Sequence, residues 1–325
     1  MSRQMHAAVL HAAGQAPRYE PFPAPEAGPG QAVVTVTAAA LKPSDRLMAS
    51  GVHYGPAAFP QVAGLDGIGR LADGSRVAFF GPQPPYGGMA EQALVRDGAW
   101  LPVPDGVDDV TAAAVLNPGG AAWKTIMVES ALAAGQSALI LGATGMSGRI
   151  AAQLAIRRGA RVVAAGRNQE LLGQLAERGA DLTIAVDRPR AELAAAIAAA
   201  GPYDLIVDYL WGAAAEATFD ALVLAGRGPA LTRYILVGMA AGQVAGLPAM
   251  ALRKAPVQLA GSGTGGRAPL AEAAAGYQSV LALVRGGEVV IDCEPVPLAD
   301  VERAWARAGG GRRIVLVPGP AVGGA

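Results

Sequence analysis

Leu139-Ile140-Leu141-Gly142-Ala143-Thr144-Gly145-Met146-Ser147-Gly148-Arg149 is the stretch on which the reading of the fold turns. The apolar run Ser137–Leu141 reads as a strand buried on both faces. Arg149–Gly159, with Ile150 and Leu154 inward, reads as a helix. Between them Gly142, Gly145 and Gly148 stand at a Gly-x-x-Gly-x-x-Gly spacing, a departure from Gly-x-Gly-x-x-Gly. Glycines there let the backbone turn tightly and approach a pyrophosphate, whose charge the N–H groups at the helix start meet. Alone the pattern is common; between a strand and a helix it points to a bound nucleotide.

The same rhythm continues outward. Arg161–Ala165, Leu182–Val186, Asp204–Asp208 and Tyr234–Val237 read as strands. Gln169–Gly179, Ala191–Ala200 and Ala213–Ala225 read as the helices between them. This alternation means βαβ units and a parallel sheet, a Rossmann-type doubly wound α/β domain over residues 121–265. The second strand ends in Gly166-Arg167-Asn168, where an NAD-binding chain carries an acidic residue for the ribose hydroxyls. Arg167 offers a planar fork for a 2′-phosphate, with Arg188 as a second cation; the alternative is a solvated loop arginine. The expected cofactor is NADP, as NADPH. Thr144, Met146 and Ser147 within the glycine turn, and Gly238 and Met239 after a later strand, fall where such ligands bind.

The flanks differ. Residues 1–120 read as short β pieces between Pro and Gly clusters, with Gln31–Thr37 alternating like a half-buried strand. Residues 266–325 carry a helix at Ala271–Arg285, a strand at Val289–Ile291, a helix at Leu298–Ala308 and a strand at Arg313–Val317, and are expected to return to the first zone. With 26 basic and 26 acidic side chains in 325 residues, no basic excess points to nucleic acid. One cysteine, Cys293, excludes an intrachain disulfide and a multi-cysteine metal site. The longest uncharged run, between Arg233 and Arg253, is interrupted by Gly238, Gly242, Gly246 and Pro248, so no membrane span is expected. With no targeting segment recognised, a cytoplasmic protein is the expectation.

This order of zones resembles the medium-chain dehydrogenase/reductase superfamily, and within it the zinc-independent, zeta-crystallin-like quinone oxidoreductases. The resemblance is carried by Ala39-Ala40-Leu41-Lys42-Pro43-Ser44-Asp45, Val62-Ala63-Gly64-Leu65-Asp66-Gly67, Gly87-Gly88-Met89-Ala90-Glu91, Pro102–Gly106 and Gly142–Gly148. It implies a GroES-like β-rich catalytic domain, interrupted by the Rossmann domain, and a homodimer. Zinc-dependent members hold their metal with a cysteine in the first stretch and a Gly-His-Glu in the second. Here Lys42 and Gly64-Leu65-Asp66 stand in those places, and Asn117 stands near the third ligand. No metal is therefore expected.

Without a Lewis acid, acceptors that need little polarisation are favoured: quinones, whose reduction yields an aromatic product, ahead of conjugated enals and enones. The expected activity is NADPH-dependent hydride transfer to a quinone, with an enoyl or alkenal reductase as the alternative. A non-catalytic, crystallin-like NADPH-binding protein is the alternative of another class. Lys42 is a candidate to stabilise developing charge, or to donate a proton if desolvation lowers its pKa; otherwise it is a surface lysine. Asp45 pairs with it or caps a helix. The resemblance makes Tyr54 and His53 competing proton donors or pocket walls. It sets Asn117 under the nicotinamide, the other reading being an ordinary turn residue, and Gly261 beside the cofactor or the dimer contact.

Overall fold

The structure is a computed structural model that describes residues 3–51, 58–226, 231–263, 270–307 and 311–319. The chain divides into two compact units, Met1–Asn117 with Tyr277–Ala325, and Pro118–Gly276.

The first unit opens with β1 (Gln4–Leu10), β2 (Arg18–Pro23), β3 (Gln31–Ala40), α1 (Pro43–Ala49), β4 (Gln61–Val62), β5 (Asp66–Arg70), β6 (Arg76–Phe80), β7 (Gln92–Arg96) and β8 (Trp100–Pro102). A three-stranded sheet runs β2-β1-β4. The alternation at Gln31–Thr37 is real: Val34 and Val36 of β3 bury beside Val77, Phe79, Ala93 and Val95. β5 lies antiparallel against β3 with a bulge between Val36 and Ala38. A side chain on Gly69 would stand 2.3 Å from the Thr35 carbonyl oxygen. Only glycine admits that approach of two backbones.

From α2 (Asp109–Trp123), followed by a π-helical stretch Lys124–Glu129, the chain enters the second unit. There β9 (Ser137–Leu141), α3 (Met146–Arg157), β10 (Arg161–Gly166), α4 (Gln169–Glu177), β11 (Leu182–Ala185), α5 (Arg190–Ala200), β12 (Leu205–Asp208), α6 (Gly212–Ala225), β13 (Thr232–Leu236), α7 (Ala249–Lys254) and β14 (Val257–Gly261) follow in turn. The sheet order is β11-β10-β9-β12-β13-β14, every pair parallel. Counting strands from β9, this is the 3-2-1-4-5-6 order of a dinucleotide-binding sheet, and its direction of winding reverses between β9 and β12. Leu139, Leu141, Val163, Ala165 and Ile206 bury one face of it under α5 and α6.

α8 (Leu270–Arg285), β15 (Cys293–Pro297), α9 (Val301–Arg307) and β16 (Arg313–Val317) complete the chain. β16 pairs with β3, so the tail closes the seven-stranded sheet of the first unit. The strand expected at Val289–Ile291 is absent. Pairing begins instead at Cys293, opposite Arg313 of β16, and that register decides where the strand lies. Among the described residues no helix is long and apolar enough to cross a membrane.

Gly69→Ala is expected to cost about 1–3 kcal/mol, read as a fall in the urea midpoint. Gly173→Ala in α4, where an added side chain meets nothing within 4 Å, is expected to be neutral or stabilising.

Candidate functional site

The glycine turn is built by steric exclusion. Gly142 takes φ +81°, and its N–H and that of Ala143 both donate to the Ala165 carbonyl, at 2.9 and 2.8 Å, tying the turn to the end of β10. A side chain on Gly148 would lie 2.2 Å from the Gly142 oxygen, so the first turn of α3 rests directly on the turn. α3 starts at Met146, not at the expected Arg149, because Gly145 serves as its N-cap. The first bond from Arg149 N–H reaches the Gly145 carbonyl at 2.8 Å. The N–H groups of Met146, Ser147 and Gly148 precede that bond and have no partner inside the helix, as an anion cradle requires.

Beside it, a side chain on Gly166 would meet the Thr144 hydroxyl at 2.7 Å, which leaves the end of β10 open only to backbone. Arg167 follows and is exposed, as is Arg188 beyond β11. Among the described residues neither has a side-chain acceptor. Arg190, by contrast, is held by Asp220 and Glu216 at 2.6 and 2.7 Å. Asn168 uses its side-chain oxygen to cap α4, accepting from Leu171 N–H at 3.1 Å.

Across the winding reversal stands a wall that sequence reasoning missed. Asp208, fully buried at the end of β12, accepts the Leu210 and Trp211 N–H groups at 2.7 and 2.9 Å and the Tyr234 hydroxyl at 2.6 Å. Burial pushes this carboxyl up, against the opposing pull of those hydrogen bonds. The turn it ties carries Trp211 at φ +55°, a conformation that costs a bulky residue on the order of 1–3 kcal/mol. The indole packs edge-on against Phe219 and Tyr234, at 5.9 and 6.5 Å between ring centroids. Tyr209 faces both glycine positions: a side chain on Gly142 would touch its Cβ at 3.2 Å, and one on Gly238 its carbonyl oxygen at 2.8 Å. An acid closing a strand ahead of Tyr-Leu-Trp-Gly was the available signal. The glycine turn, Gly166–Asn168, Arg188, Gly238, Met239 and Gly261 thus all lie at the carboxyl edge of one sheet, Gly261 on its outermost strand.

Lys42 and Asp45 belong to the first unit. Lys42 is 3% exposed, so it is no surface lysine. Its ammonium meets Asp66 Oδ1 at 2.7 Å, the Ala40 carbonyl at 3.1 Å and Asp45 Oδ2 at 3.3 Å. Burial alone would push the ammonium down, but the charges of Asp45 and Asp66 outweigh it and hold it up. Desolvation therefore does not lower it: with both carboxylates this close, Lys42 is a fixed cation, not a ready acid. Asp45 does both things expected of it, accepting the Lys42 N–H at 2.7 Å as well as pairing with the ammonium; it also accepts the Leu65 N–H at 3.1 Å. Asn117 is an exposed residue within α2 and not a turn residue. Tyr54 and His53 lie outside the described residues. Burial raises the Cys293 thiol, which keeps it from being a ready nucleophile.

The raised Lys42 carries a pH signature. Its pairing is complete at pH 7 and is lost only as pH climbs past the ordinary lysine value of 10.5 toward its own higher one. Lys42→Met takes the ammonium from between two buried carboxylates, and about 3–5 kcal/mol of stability is expected to go at pH 7. The deficit should shrink at pH 5, because burial already pushes the Asp66 carboxyl up and the loss of the ammonium lets it take up a proton; urea titrations at both pH values read it.

No family model matches the chain. It is similar to the quinone oxidoreductase of Rattus norvegicus, 30% identical over 158 residues, or 46% of this chain and 47% of that protein. The chain spans less than half the length of the curated quinone oxidoreductases it matches. In structure it is similar to the quinone oxidoreductase of Thermus thermophilus, solved also in complex with NADPH. There the TM-score is 0.77 at 28% identity, over 96% of this chain and 100% of the other. The quinone oxidoreductase of Pseudomonas syringae shares the fold at TM-score 0.81 and 21% identity, over 98% and 100% of the two chains. A returning β-rich unit interrupted by a 3-2-1-4-5-6 sheet is thus the fold of these quinone oxidoreductases, and the likeness supports the zinc-independent quinone oxidoreductase branch of the medium-chain dehydrogenase/reductase superfamily.

Proposed function

We propose that the chain is an NADPH-dependent, zinc-independent oxidoreductase that passes hydride to a quinone. The observation that carries this reading is the carboxyl edge of the parallel sheet, where a glycine cradle sits beside an exposed, unengaged Arg167 that, in place of an acidic residue, directly follows β10. In this reading the N–H groups opening α3 meet the pyrophosphate, and Arg167 forks onto the 2′-phosphate with Arg188 adding charge. Bound NADPH supplies the hydride. Tyr209, Gly238 and Met239 flank its nicotinamide half, since the adenosine half lies toward β10. Thr144 and Gly166 keep the backbone close. Asn168 borders the ribose while capping α4.

On the acceptor side Lys42 stands where zinc-dependent members place a ligand, and Leu65 stands where they place a histidine. The acceptor is therefore one already activated toward hydride, a quinone ahead of a conjugated enone. Lys42 acts by its fixed charge and Asp45 by holding that charge. The proton comes from solvent or from the Tyr54–His53 segment. The exposed outer strand β14, ending at Gly261, is the surface on which a second copy completes a homodimer.

The test is NADPH consumption by purified protein with an ortho-quinone and with a conjugated enone, repeated with NADH and with a chelator. Chelator-insensitive turnover preferring NADPH and the quinone is expected. Faster turnover of the enone would favour the alkenal reductase, and tight NADPH binding without turnover the crystallin-like role. Arg167→Ala should raise the KM for NADPH roughly tenfold to a hundredfold and leave that for NADH nearly unchanged.

A further inference from the structure

We propose that Asp208 is a positioning residue for the cofactor edge of the second unit, a role that rests on the NADPH reading above. Its carboxylate holds Trp211 in a backbone conformation natural to glycine. Through that turn it sets Leu210 against Gly142 and anchors the loop that carries Gly238 and Met239.

Trp211 takes φ +55° with ψ −159°, beside the region that glycine alone enters freely. Gly212 follows at φ +57°, where a side chain would lie 2.8 Å from the Ala241 carbonyl oxygen. A bulky residue stays in such a conformation only where its surroundings over-determine it. Here one carboxylate does so. Asp208 Oδ1 accepts the N–H groups of Leu210 and Trp211 at 2.7 and 2.9 Å, and Oδ2 accepts the Tyr234 hydroxyl at 2.6 Å. The Tyr234 ring in turn stands against the Trp211 indole. All three donors are neutral and Asp208 is fully buried, an arrangement that costs a carboxylate stability. The fold alone does not ask for it, since a glycine at position 211 would take this turn unaided.

The turn acts on the carboxyl edge in two places. Leu210 Cδ2 and Tyr209 Cβ stand 3.1 and 3.2 Å from the place of a Cβ on Gly142, so they buttress the glycine turn. The Leu210 carbonyl accepts the Ala241 N–H at 2.7 Å and the Tyr209 carbonyl the Ala240 N–H at 3.2 Å, which hooks the loop after β13 onto the same turn. The peptide plane between Leu210 and Trp211 is thereby held at both ends, its N–H by Asp208 and its carbonyl by Ala241. Relaxing φ at Trp211 rotates that plane, and both bonds are lost together. The buttress and the hook therefore depend on a carboxylate that need not touch the cofactor.

The experiment titrates NADPH, followed by nicotinamide fluorescence, into wild type, Asp208→Asn, Trp211→Gly and the double variant. The amide keeps the shape of Asp208 but accepts N–H groups less strongly than a carboxylate. Asp208→Asn should raise the Kd for NADPH roughly tenfold. With glycine at position 211 the turn needs no carboxylate, so there the same substitution should change Kd by less than about twofold. Equal weakening in both backgrounds, or no weakening in the first, overturns the proposal and leaves the NADPH reading standing. Where Trp211→Gly does not fold, hydrogen exchange in Asp208→Asn decides. Exchange at the Trp211 and Ala241 N–H groups roughly tenfold faster, with β12 unchanged, supports the role, and unchanged exchange at Ala241 overturns it. A wild-type protein that binds no NADPH overturns the NADPH reading and the role of Asp208 together.

Discussion

The carbonyl oxygen of Gly142 presses against the place a Cβ on residue 148 would take, and much of the second unit follows from that single steric demand. A methyl group at 148 would stand 2.2 Å from it, well inside van der Waals contact. With glycine there, α3 descends onto the end of β9 and its unbonded N–H groups converge above the turn. The same closeness sets β10, whose Ala165 carbonyl receives two N–H groups from the turn, and β10 in turn presents Arg167. On the far side, Gly142 leaves room for Tyr209 and Leu210. The anion cradle, the cation beside it and the wall opposite are thus consequences of a packing constraint before they are a site.

The first unit is organised by charge. Two carboxylates and an ammonium share a space that water does not reach, with Arg313 of β16 adding its field and donating to the Leu41 carbonyl at 2.7 Å. Burying such groups is expensive unless each is matched, and here every one of them has an oppositely charged or hydrogen-bonding neighbour. The cluster also joins distant parts of the chain: Lys42 just ahead of α1 and Asp45 within it, Asp66 from β5, Arg313 from the returning tail. A sheet whose last strand arrives some 270 residues after its first gains a specific register mark from such a contact.

What could be read in advance, and what could not, divides along sequence distance. The parallel sheet was legible because each strand and helix carries its own periodicity, and the glycine turn because its residues are consecutive. The start of α3 was misplaced because Gly145 through Gly148 look like loop when read alone; helical geometry there depends on the strand beneath. Val289–Ile291 has strand composition, but pairing is decided by β16, which aligns with Cys293–Pro297. Lys42 shows the same limit. Whether a lysine is a surface group, a tuned acid or a fixed cation depends on its neighbours. Asp66 lies 24 residues off, and nothing local announces it. The wall at Asp208–Trp211 escaped because a tryptophan at positive φ has no sequence signature; the carboxylate that holds it does so in three dimensions.

The difference between an internal ammonium and a metal then limits the chemistry. A catalytic zinc keeps a coordination position open, so its charge reaches the reacting oxygen by a direct bond. The Lys42 ammonium has its donors spent on Asp66, Ala40 and Asp45, and its charge is largely compensated where it sits. Its influence on anything outside the cluster is a field attenuated by two adjacent carboxylates. A cation so compensated cannot strongly polarise an isolated carbonyl. That limit follows from one residue, a lysine at the position where the zinc-dependent proteins that the sequence resembles hold a ligand.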